Sequence, residues 1–411
     1  MKILCCSDIH MGRIPSVPYM ENLLSHSSWD AIVSKALELK ADVLTLSGDV
    51  VEQEEHWFEA YGPLLSGLKK LGEAGIQVIG VGGNHDYSAF PSLAKESPHI
   101  KILGLGGEWE HFDHKGVRFV GWSFAERRVQ QNPLDSFDHA LTETELPLLG
   151  LLHCDVGAPP SSRYAPVALH DFSRTSVPLW VLGHIHKAEV LKGGNAFYCG
   201  SPYALDSNEE GMHGLWLLEK EEDKTWDEPK LVPLCPYRFE SCTVSLDGVQ
   251  SEDEARTALS RALREFASEI PFGGTLLCSL ILEGTIARTL DVRNIFTQEK
   301  LEVLWTQIGD WEVRPLARLK DNTVFDVDLQ ELSEGTSAIA LLARKLLDES
   351  ELKKMAAQYK SLDMESLHSP AFQHVDQNSI IKSEEEYIRL ATQAAKRLLF
   401  AMINSEQGGL R

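Results

Sequence analysis

The first 235 residues predict an α/β sandwich, and two observations lead to that prediction. Strand-like apolar runs alternate with helical stretches along this part of the chain. Four of the runs end in polar side chains that can bind metal ions, at residues 2–7, 42–46, 77–81 and 179–182. Because ligands of open α/β sheets bind beyond the carboxyl ends of the strands, we expect these strand ends to form one site.

Helices are predicted between these strands from the period of the apolar residues. Residues 29–40 place apolar side chains on one face, as expected of a helix that crosses from the first strand to the second. A second helix ends at residues 64–72, with Gly72 as its predicted C-cap. Residues 117–122 and 150–153 predict strands of a second sheet, and the latter run ends at His153.

The composition limits the classes of function. A chain of 411 residues is long enough for about two or three domains. Seven cysteines without a C-x-x-C pair, and an N-terminus unlike a secretory signal, predict a reduced, cytoplasmic protein. No apolar run reaches the roughly 18 residues of a membrane span. The net charge of -22 opposes general binding of nucleic acid, so any DNA must be held by local basic patches and metal ions.

The candidate metal ligands follow the strand ends in five groups. Residues two apart on extended chain point to the same side, so each D-x-H or H-x-H pair can converge on one point. A single histidine in such a pattern is most often an ordinary buried or surface residue, and only the ordered set indicates a site. The groups are Asp8 with His10, Asp49, Asn84 with His85 and Asp86, His153, and His184 with His186.

In this order the groups resemble the calcineurin-like metallophosphoesterases, whose pattern is D-x-H, G-D, G-N-H-[DE], H and G-H-x-H. The resemblance implies two packed sheets flanked by helices, and two divalent metal ions. It implies that Asp8, His10, Asp49 and His186 hold one ion and that Asp49, Asn84, His153 and His184 hold the other. It also implies that His85 protonates the leaving oxygen or stabilises the transition state. Asp86 would orient His85, with a turn or cap role equally open.

The predicted ligand set contains imidazole, carboxylate and amide groups without thiolate. Such a set suits manganese, iron or zinc, and affinity order alone favours zinc. A metal-activated water would be the nucleophile, so no side-chain nucleophile is needed. The resemblance implies Mn²⁺ for the DNA-repair members of the family.

One further motif bears on the substrate. Residues 197–202, with Gly200, Ser201 and Pro202, are similar to the nuclease subunit of the bacterial SbcCD complex and its archaeal and eukaryotic counterparts. On composition, an ordinary turn explains Gly200 to Pro202 equally well. The resemblance implies a DNA exonuclease and endonuclease that acts on double-stranded ends and single strands in double-strand-break repair. A small nucleotide or a phosphoprotein is the alternative substrate, which the acidic composition favours, and a non-catalytic scaffold is disfavoured by the complete ligand set.

Residues 236–332 predict a small α+β domain, which the resemblance makes a capping domain that selects DNA. Strands are predicted at 239–246, 275–282 and 311–319, and helices at 255–270 and 297–308, with Ser251 and Glu254 as a capping box. Two interpretations of the basic residues of this domain remain open. They contact the phosphate backbone of DNA, or they form an ordinary solvated surface. These residues are Arg288, Arg293, Arg314, Arg318 and Lys320.

Residues 333–411 predict two amphipathic helices, at 337–359 and 384–404, joined by a polar linker at 361–379. Their apolar faces must dock on the preceding domains or on a partner. The resemblance implies an SbcC-like coiled-coil ATPase as that partner, and it leaves a homodimer open.

Overall fold

The computed structural model describes residues 1–53, 57–193, 195–220, 226–287, 289–367 and 383–408. The chain divides into two compact units, Met1–Phe239 and Glu240–Arg411. Arg288 and the linker residues from 368 onward lie outside the described residues. No helix in the described ranges is long and apolar enough to cross a membrane.

The first unit alternates strands and helices as predicted. Its helices are α1 (Ser27–Leu39), α2 (Trp57–Glu73) and α3 (Ala89–Ala94). Its strands are β1 (Lys2–Cys6), β2 (Val43–Ser47), β3 (Gln77–Val81), β4 (Ile100–Ile102), β5 (Glu110–His114), β6 (Val117–Trp122), β7 (Leu148–His153), β8 (Asp155–Val156), β9 (Pro166–Val167), β10 (Trp180–Gly183), β11 (Glu189–Val190), β12 (Ala196–Tyr198), β13 (Gly214–Glu219) and β14 (Lys230–Pro233).

These strands form two large sheets in the described part of the unit. One has the order β14-β13-β1-β2-β3-β4, and the other has the order β11-β12-β10-β7-β6-β5. Strands β1 to β4 are parallel to one another, as are β6, β7, β10 and β12. The strands that carry the candidate ligands therefore all end at the same edge of their sheet.

The two sheets share one buried layer. Ile3 and Val81 of the first sheet meet Phe119, Leu151 and Val181 of the second in a single apolar cluster. Helices α1 and α2 cover the outer face of the first sheet, and short 3₁₀ helices such as Leu169–Arg174 cover part of the second. The predicted two-sheet α/β sandwich is therefore confirmed.

The predicted C-cap at Gly72 is wrong. Helix α2 continues to Glu73, and the chain leaves it at Gly75, whose φ of 76° lies in the left-handed region that glycine adopts freely. The amide of Ile76 donates to the carbonyl of Leu71 at 2.9 Å, which closes the turn. Gly72 instead makes room for a neighbouring ring, because a Cβ there would lie 2.1 Å from Nδ1 of His99.

The second unit combines one sheet with helices. Its strands are β15 (Tyr237–Ser245), which begins in the first unit, β16 (Gly274–Ile286), β17 (Thr306–Ile308) and β18 (Trp311–Phe325), in the order β15-β16-β18-β17. Its helices are α4 (Glu252–Glu269), α5 (Val292–Ile295), α6 (Gln298–Glu302), α7 (Leu329–Ser333), α8 (Ala338–Leu347), α9 (Glu349–Leu367) and α10 (Glu384–Gly408).

Two helix predictions in this unit need correction. The helix predicted at 297–308 is wrong beyond residue 302, because residues 306–308 form β17 and pair with β18 across a turn at Gly309. The helix predicted at 337–359 is two helices, α8 and α9. The break lies at Asp348, whose carboxylate accepts a hydrogen bond from the amide of Ser350 at 2.8 Å and so caps α9.

The terminal helices bury much of their apolar surface within this unit. Ile339 and Leu346 of α8 form a cluster with Ala395 and Leu399 of α10. Helix α9 continues to Leu367, so residues 361–367 of the predicted linker are helical. The apolar stripes seen in the sequence are thus largely explained by packing inside the unit.

Candidate active site

The candidate ligands lie where strands of both sheets end. Asp8 and His10 follow β1, and their amides donate to the carbonyls of Gly48 and Asp49, both at 3.0 Å. The loop after β10 joins the same place, because the amide of His184 donates to the carboxylate of Asp8 at 3.1 Å. Hydrogen bonds donated by backbone amides therefore tie three of the ligand-bearing loops together.

The backbone is strained at four of the candidate ligands. Asp8, His10 and Asp49 have φ angles of 51°, 50° and 51°, and His184 has a φ of 102°. A non-glycine residue in this region costs about 1–3 kcal/mol, and such strain concentrates at functional sites. The surrounding fold holds these four residues in place against that cost.

Glycines beside the ligands permit close approach of neighbouring segments. A Cβ at Gly83 would lie 2.2 Å from a carboxylate oxygen of Asp49. A Cβ at Gly183 would lie 2.1 Å from the carbonyl oxygen of Ser47. No side chain larger than hydrogen fits at either position.

One group of ligand atoms joins the two sheets. Nε2 of His10 lies 3.1 Å from Nε2 of His186. Together with a carboxylate oxygen of Asp8, these atoms lie within 4.8 Å of one another. All three residues belong to the set that the resemblance assigns to one metal ion.

A second group surrounds Asp49. Nε2 of His153 lies 3.3 Å from Oδ2 of Asp49 and 3.0 Å from Oδ1 of Asn84. Asp8, Asp49 and His153 form another set whose ligand atoms lie within 4.8 Å. The ring of His184 is adjacent, with its centroid 5.3 Å from that of His153. Asp49 thus lies beside both groups.

Two glutamates that the sequence interpretation missed lie behind histidines of the site. Oε2 of Glu52 lies 2.7 Å from Nδ1 of His10, and Oε1 of Glu209 lies 2.7 Å from Nδ1 of His186. Glu52 also faces His85, whose Nδ1 lies 2.7 Å from the carbonyl oxygen of Glu52. A third set of potential ligands, within 4.8 Å, is His10, Glu52 and His85.

The predicted contact of Asp86 with His85 is wrong. Oδ1 of Asp86 accepts from the amide of Gly83 at 2.7 Å, and Oδ2 accepts from the amides of Val50 and Val51 at 2.7 and 3.3 Å. The carboxylate therefore holds two ligand loops together through backbone groups. Burial, with the nearby charge of Asp49, raises the pKa of Asp86 to about 7.

The electrostatics of the site centre on Asp49. Burial opposes ionisation there, yet the ring of His153 outweighs it and holds the pKa of Asp49 well below its usual range. Burial alone would lower the pKa of His153, but the carboxylate of Asp49 raises it to about 9. Burial, together with the neighbouring His153, lowers the pKa of His184 to about 4. Asp49 therefore carries a full negative charge at neutral pH.

The donor set fits divalent metal ions. Imidazole nitrogens, two carboxylates and an amide oxygen converge, and the paired Nε2 atoms of His10 and His186 point at one place. Cys154 takes no part, because it is fully buried in the apolar cluster and burial raises the pKa of its thiol well above the usual value.

Sequence signals for the missed residues were weak. Glu52 lies three positions after Asp49, and Glu209 lies in the acidic run 206–210 after Pro202. Neither spacing identifies a partner, because each carboxylate meets its histidine only after loops from different strands come together. Ser201 does have a specific role, since its hydroxyl donates to Oε2 of Glu209 at 3.0 Å.

Comparison with known proteins identifies the class of this domain. Residues 1–188 match the family of calcineurin-like phosphoesterases. This part of the chain is therefore a calcineurin-like metallophosphoesterase domain, the domain of a metal-dependent phosphoester hydrolase. The family binds two divalent metal ions, and the ligand groups described above are candidates for holding them.

Similar proteins include an uncharacterized metallophosphoesterase, YhaO, of Bacillus subtilis, 26% identical over 73% of this chain and 74% of its own length. Two archaeal proteins named DNA double-strand break repair protein Mre11 also match. That of Methanocaldococcus jannaschii is 27% identical over 45% of this chain, and that of Methanopyrus kandleri is 23% identical over 64%. The matches span 51% and 63% of those two proteins.

Solved structures with a detectable likeness include a dimetal phosphatase from Danio rerio, 15% identical, with a TM-score of 0.34 over 57% of this chain and 99% of its own. The nuclease MPE from Pseudomonas putida is 14% identical, with a TM-score of 0.22 over 53% of this chain and 83% of its own.

Proposed function

We propose that the protein is a two-metal phosphodiesterase that cleaves DNA, as an exonuclease and endonuclease, in double-strand-break repair. The observation that carries the two-metal part is the approach of His10 to His186 beside the pair of Asp49 and His153. Mn²⁺ is the proposed metal, with Fe²⁺ and Zn²⁺ chemically compatible. One ion is assigned to Asp8, His10, Asp49 and His186, and the other to Asp49, Asn84, His153 and His184.

The chain's own residues supply charge and position for the reaction. Bound divalent ions act as Lewis acids and lower the pKa of a water toward about 7. Against two dications, the carboxylates of Asp8 and Asp49 leave a site of about +2, which attracts a phosphodiester. The carbonyl of Glu52 accepts from Nδ1 of His85, and this leaves Nε2 of His85 to protonate the leaving oxygen.

A basic rim supports nucleic acid as the substrate. Arg127, Arg128 and Arg163 are exposed and lie on two neighbouring segments that hydrogen-bond to each other, with the amide of Val129 donating to the carbonyl of Arg163 at 2.9 Å. The next residue, Tyr164, contacts His184 with its ring tilted by 36°, and the ring centroids lie 5.1 Å apart. Arginines bind phosphates and an exposed aromatic ring can stack on a base.

Similarity to the two archaeal repair proteins supports a role in DNA repair. For the partner, we propose an SbcC-like coiled-coil ATPase bound to the terminal helices. Leu341, Leu362 and Leu398 stay 53%, 63% and 55% exposed after those helices have packed on one another. The same exposed leucines could instead form the interface of a homodimer.

The acidic composition favours a different substrate. A net charge of -22 repels a polyanion, and it suits a small nucleotide or a phosphoprotein better. DNA affinity of the isolated protein should accordingly be weak and should fall steeply with salt.

Digestion of an end-labelled duplex with Mn²⁺, alongside hydrolysis of bis-p-nitrophenyl phosphate, tests the proposal. The combined change Arg127→Ala, Arg128→Ala and Arg163→Ala should impair duplex cleavage and spare the small diester. Lys69→Ala with Lys70→Ala, on the exposed side of α2, is the matched control and should change neither. Cleavage of nucleotides or phosphopeptides with DNA untouched at every salt and partner condition would replace the nuclease proposal with the alternative.

A further inference from the structure

Two carboxylates outside the proposed ligand set lie directly behind two of its histidines. Glu52 lies 2.7 Å from Nδ1 of His10, and Glu209 lies 2.7 Å from Nδ1 of His186. A histidine that binds metal through one ring nitrogen is commonly oriented by a carboxylate at the other. Both contacts therefore leave Nε2 as the binding atom, and the two Nε2 atoms lie 3.1 Å apart.

The histidines assigned to the other ion are held differently. Nδ1 of His153 lies 2.9 Å from the carbonyl oxygen of Ser47, which is a neutral acceptor. For His184 the carboxylate contact found among the described residues is a distant one, with Nε2 4.0 Å from Oδ2 of Asp155. Carboxylates within 2.7 Å of Nδ1 therefore accompany the two histidines assigned to one ion, His10 and His186.

Glu209 is fixed so that one oxygen serves one histidine. Its Oε2 accepts from the hydroxyl of Ser201 at 3.0 Å and from the amide of Leu205 at 2.8 Å. Oε1 is then directed to His186. The ring of His213 holds Ser201 in turn, with Nδ1 3.1 Å from its hydroxyl.

Glu52 has a second neighbour. Its Oε1 lies 3.7 Å from Nδ1 of His85, and its carbonyl oxygen lies 2.7 Å from the same atom. The rings of His10 and His85 meet edge to face at 5.0 Å. One carboxylate therefore lies between a proposed metal ligand and the proposed proton donor.

We infer that Glu52 and Glu209 are positioning residues with different duties. Glu209 acts on metal binding alone, through His186. Glu52 acts on metal binding through His10 and also on the position of His85, because its two carboxylate oxygens lie beside the Nδ1 atoms of the two rings. The inference rests on the proposed two-metal function.

The test measures Mn²⁺ half-saturation and kcat separately, with bis-p-nitrophenyl phosphate as substrate, for Glu52→Gln and Glu209→Gln in the full chain. Each variant should raise the half-saturating Mn²⁺ concentration, measured by calorimetry and by activity, about 10–100-fold. At saturating Mn²⁺, Glu209→Gln should recover the wild-type kcat. Glu52→Gln should stay lower, on the order of tenfold, because His85 still lacks its carboxylate. Glu210→Gln, next to Glu209 and exposed, is the control and should change neither quantity.

Circular dichroism of the metal-free proteins checks folding. Should Glu209→Gln fail to fold, Ser201→Ala removes only the hydroxyl that holds Glu209, and it should raise half-saturation while leaving kcat intact. Unchanged half-saturation in both glutamate variants would overturn the positioning role, and equal recovery of kcat would overturn the division of duties. Wild-type protein that binds no Mn²⁺ would instead overturn the proposed function and this inference with it.

Discussion

Nε2 of His10 lies 3.1 Å from Nε2 of His186, although the two residues are 176 positions apart. His10 follows β1 of the first sheet and His186 follows β10 of the second, so this contact joins the two halves of the sandwich. Each ring has a carboxylate 2.7 Å from Nδ1. Two nitrogens aimed at one place, next to Asp8, are what a divalent ion requires.

Replacement of His85 should separate metal binding from turnover. His85→Ala should keep both metal ions and lose roughly 10²–10⁴-fold in kcat, because it removes a general acid and no assigned ligand. Asp49→Asn should lose metal instead, since Asp49 is the assigned bridge. Elemental analysis with diester hydrolysis distinguishes the two. Equal depletion of metal in both variants would mean that His85 is a ligand.

Gly48 should tolerate a side chain less well than another glycine of similar backbone conformation. Gly48 and Gly116 have φ angles of 90° and 77°, so alanine costs roughly 1–2 kcal/mol at either position. A Cβ at Gly48 would also lie 2.5 Å from Nδ1 of His153, whereas a Cβ at Gly116 meets nothing within 4 Å.

Gly48→Ala should therefore lower the free energy of unfolding by about 1–3 kcal/mol more than Gly116→Ala does. Urea denaturation of the metal-free proteins measures the difference. Equal losses would show that the loop at Gly48 moves freely away from His153.

Metal binding should release protons at neutral pH. Although burial opposes protonation of both rings, Asp49 raises the pKa of His153 to about 9 and Glu209 raises that of His186 to about 8. At pH 7 both rings hold a proton that a metal must displace, and above these pKa values they do not. Apparent Mn²⁺ affinity should thus rise from pH 7 to pH 9. Calorimetry in buffers of different ionisation enthalpy measures the release, and enthalpies independent of buffer at pH 7 would refute it.

Truncation after Gly335 should spare the chemistry and remove the partner. All assigned ligands belong to the unit Met1–Phe239, so metal-dependent hydrolysis of a small diester should persist. Association with a coiled-coil ATPase, and stimulated cleavage of duplex ends, should be lost with α8 to α10. Co-purification and duplex digestion of full-length and truncated chains provide the comparison.

The packing of the terminal helices on the rest of their unit determines what the truncation would show. Helices α8 and α10 cover Val327, Leu329 and Leu332, which the shortened chain would expose. Circular dichroism therefore accompanies the comparison. A truncated chain that unfolds would show that the terminal helices are part of the folded core, and this would contradict the prediction that the chemistry persists without them.

Much of the fold was predictable because strand signals were local. The runs at 77–81 and 117–122 form β3 and β6 with the predicted bounds, and each was recognisable from its own apolar residues. The helix predicted at 297–308 failed because residues 306–308 gain more by pairing with β18 than by continuing a helix. Strand pairing of that kind is a tertiary effect with no local signal.

The site also combines features that have a local sequence signal with features that arise only in the folded chain. Ligand candidates were recognisable because each follows a strand in a recurring motif. Glu52 and Glu209 were not, since their partners lie on other loops, and the same is true of Asp86, whose carboxylate serves the amides of Val50 and Val51 and of Gly83. Sequence neighbours led to the pairing of Asp86 with His85, whereas the folded chain directs that carboxylate to the backbone.

A manganese titration of the full-length protein, followed by calorimetry and by hydrolysis of bis-p-nitrophenyl phosphate, tests the two-metal centre most directly. The wild-type chain should bind two Mn²⁺ ions, gain activity as they bind, and lose all activity to a chelator. Activity that survives exhaustive chelation, or a wild-type chain that binds no Mn²⁺, would contradict a metal-dependent phosphodiesterase at this site.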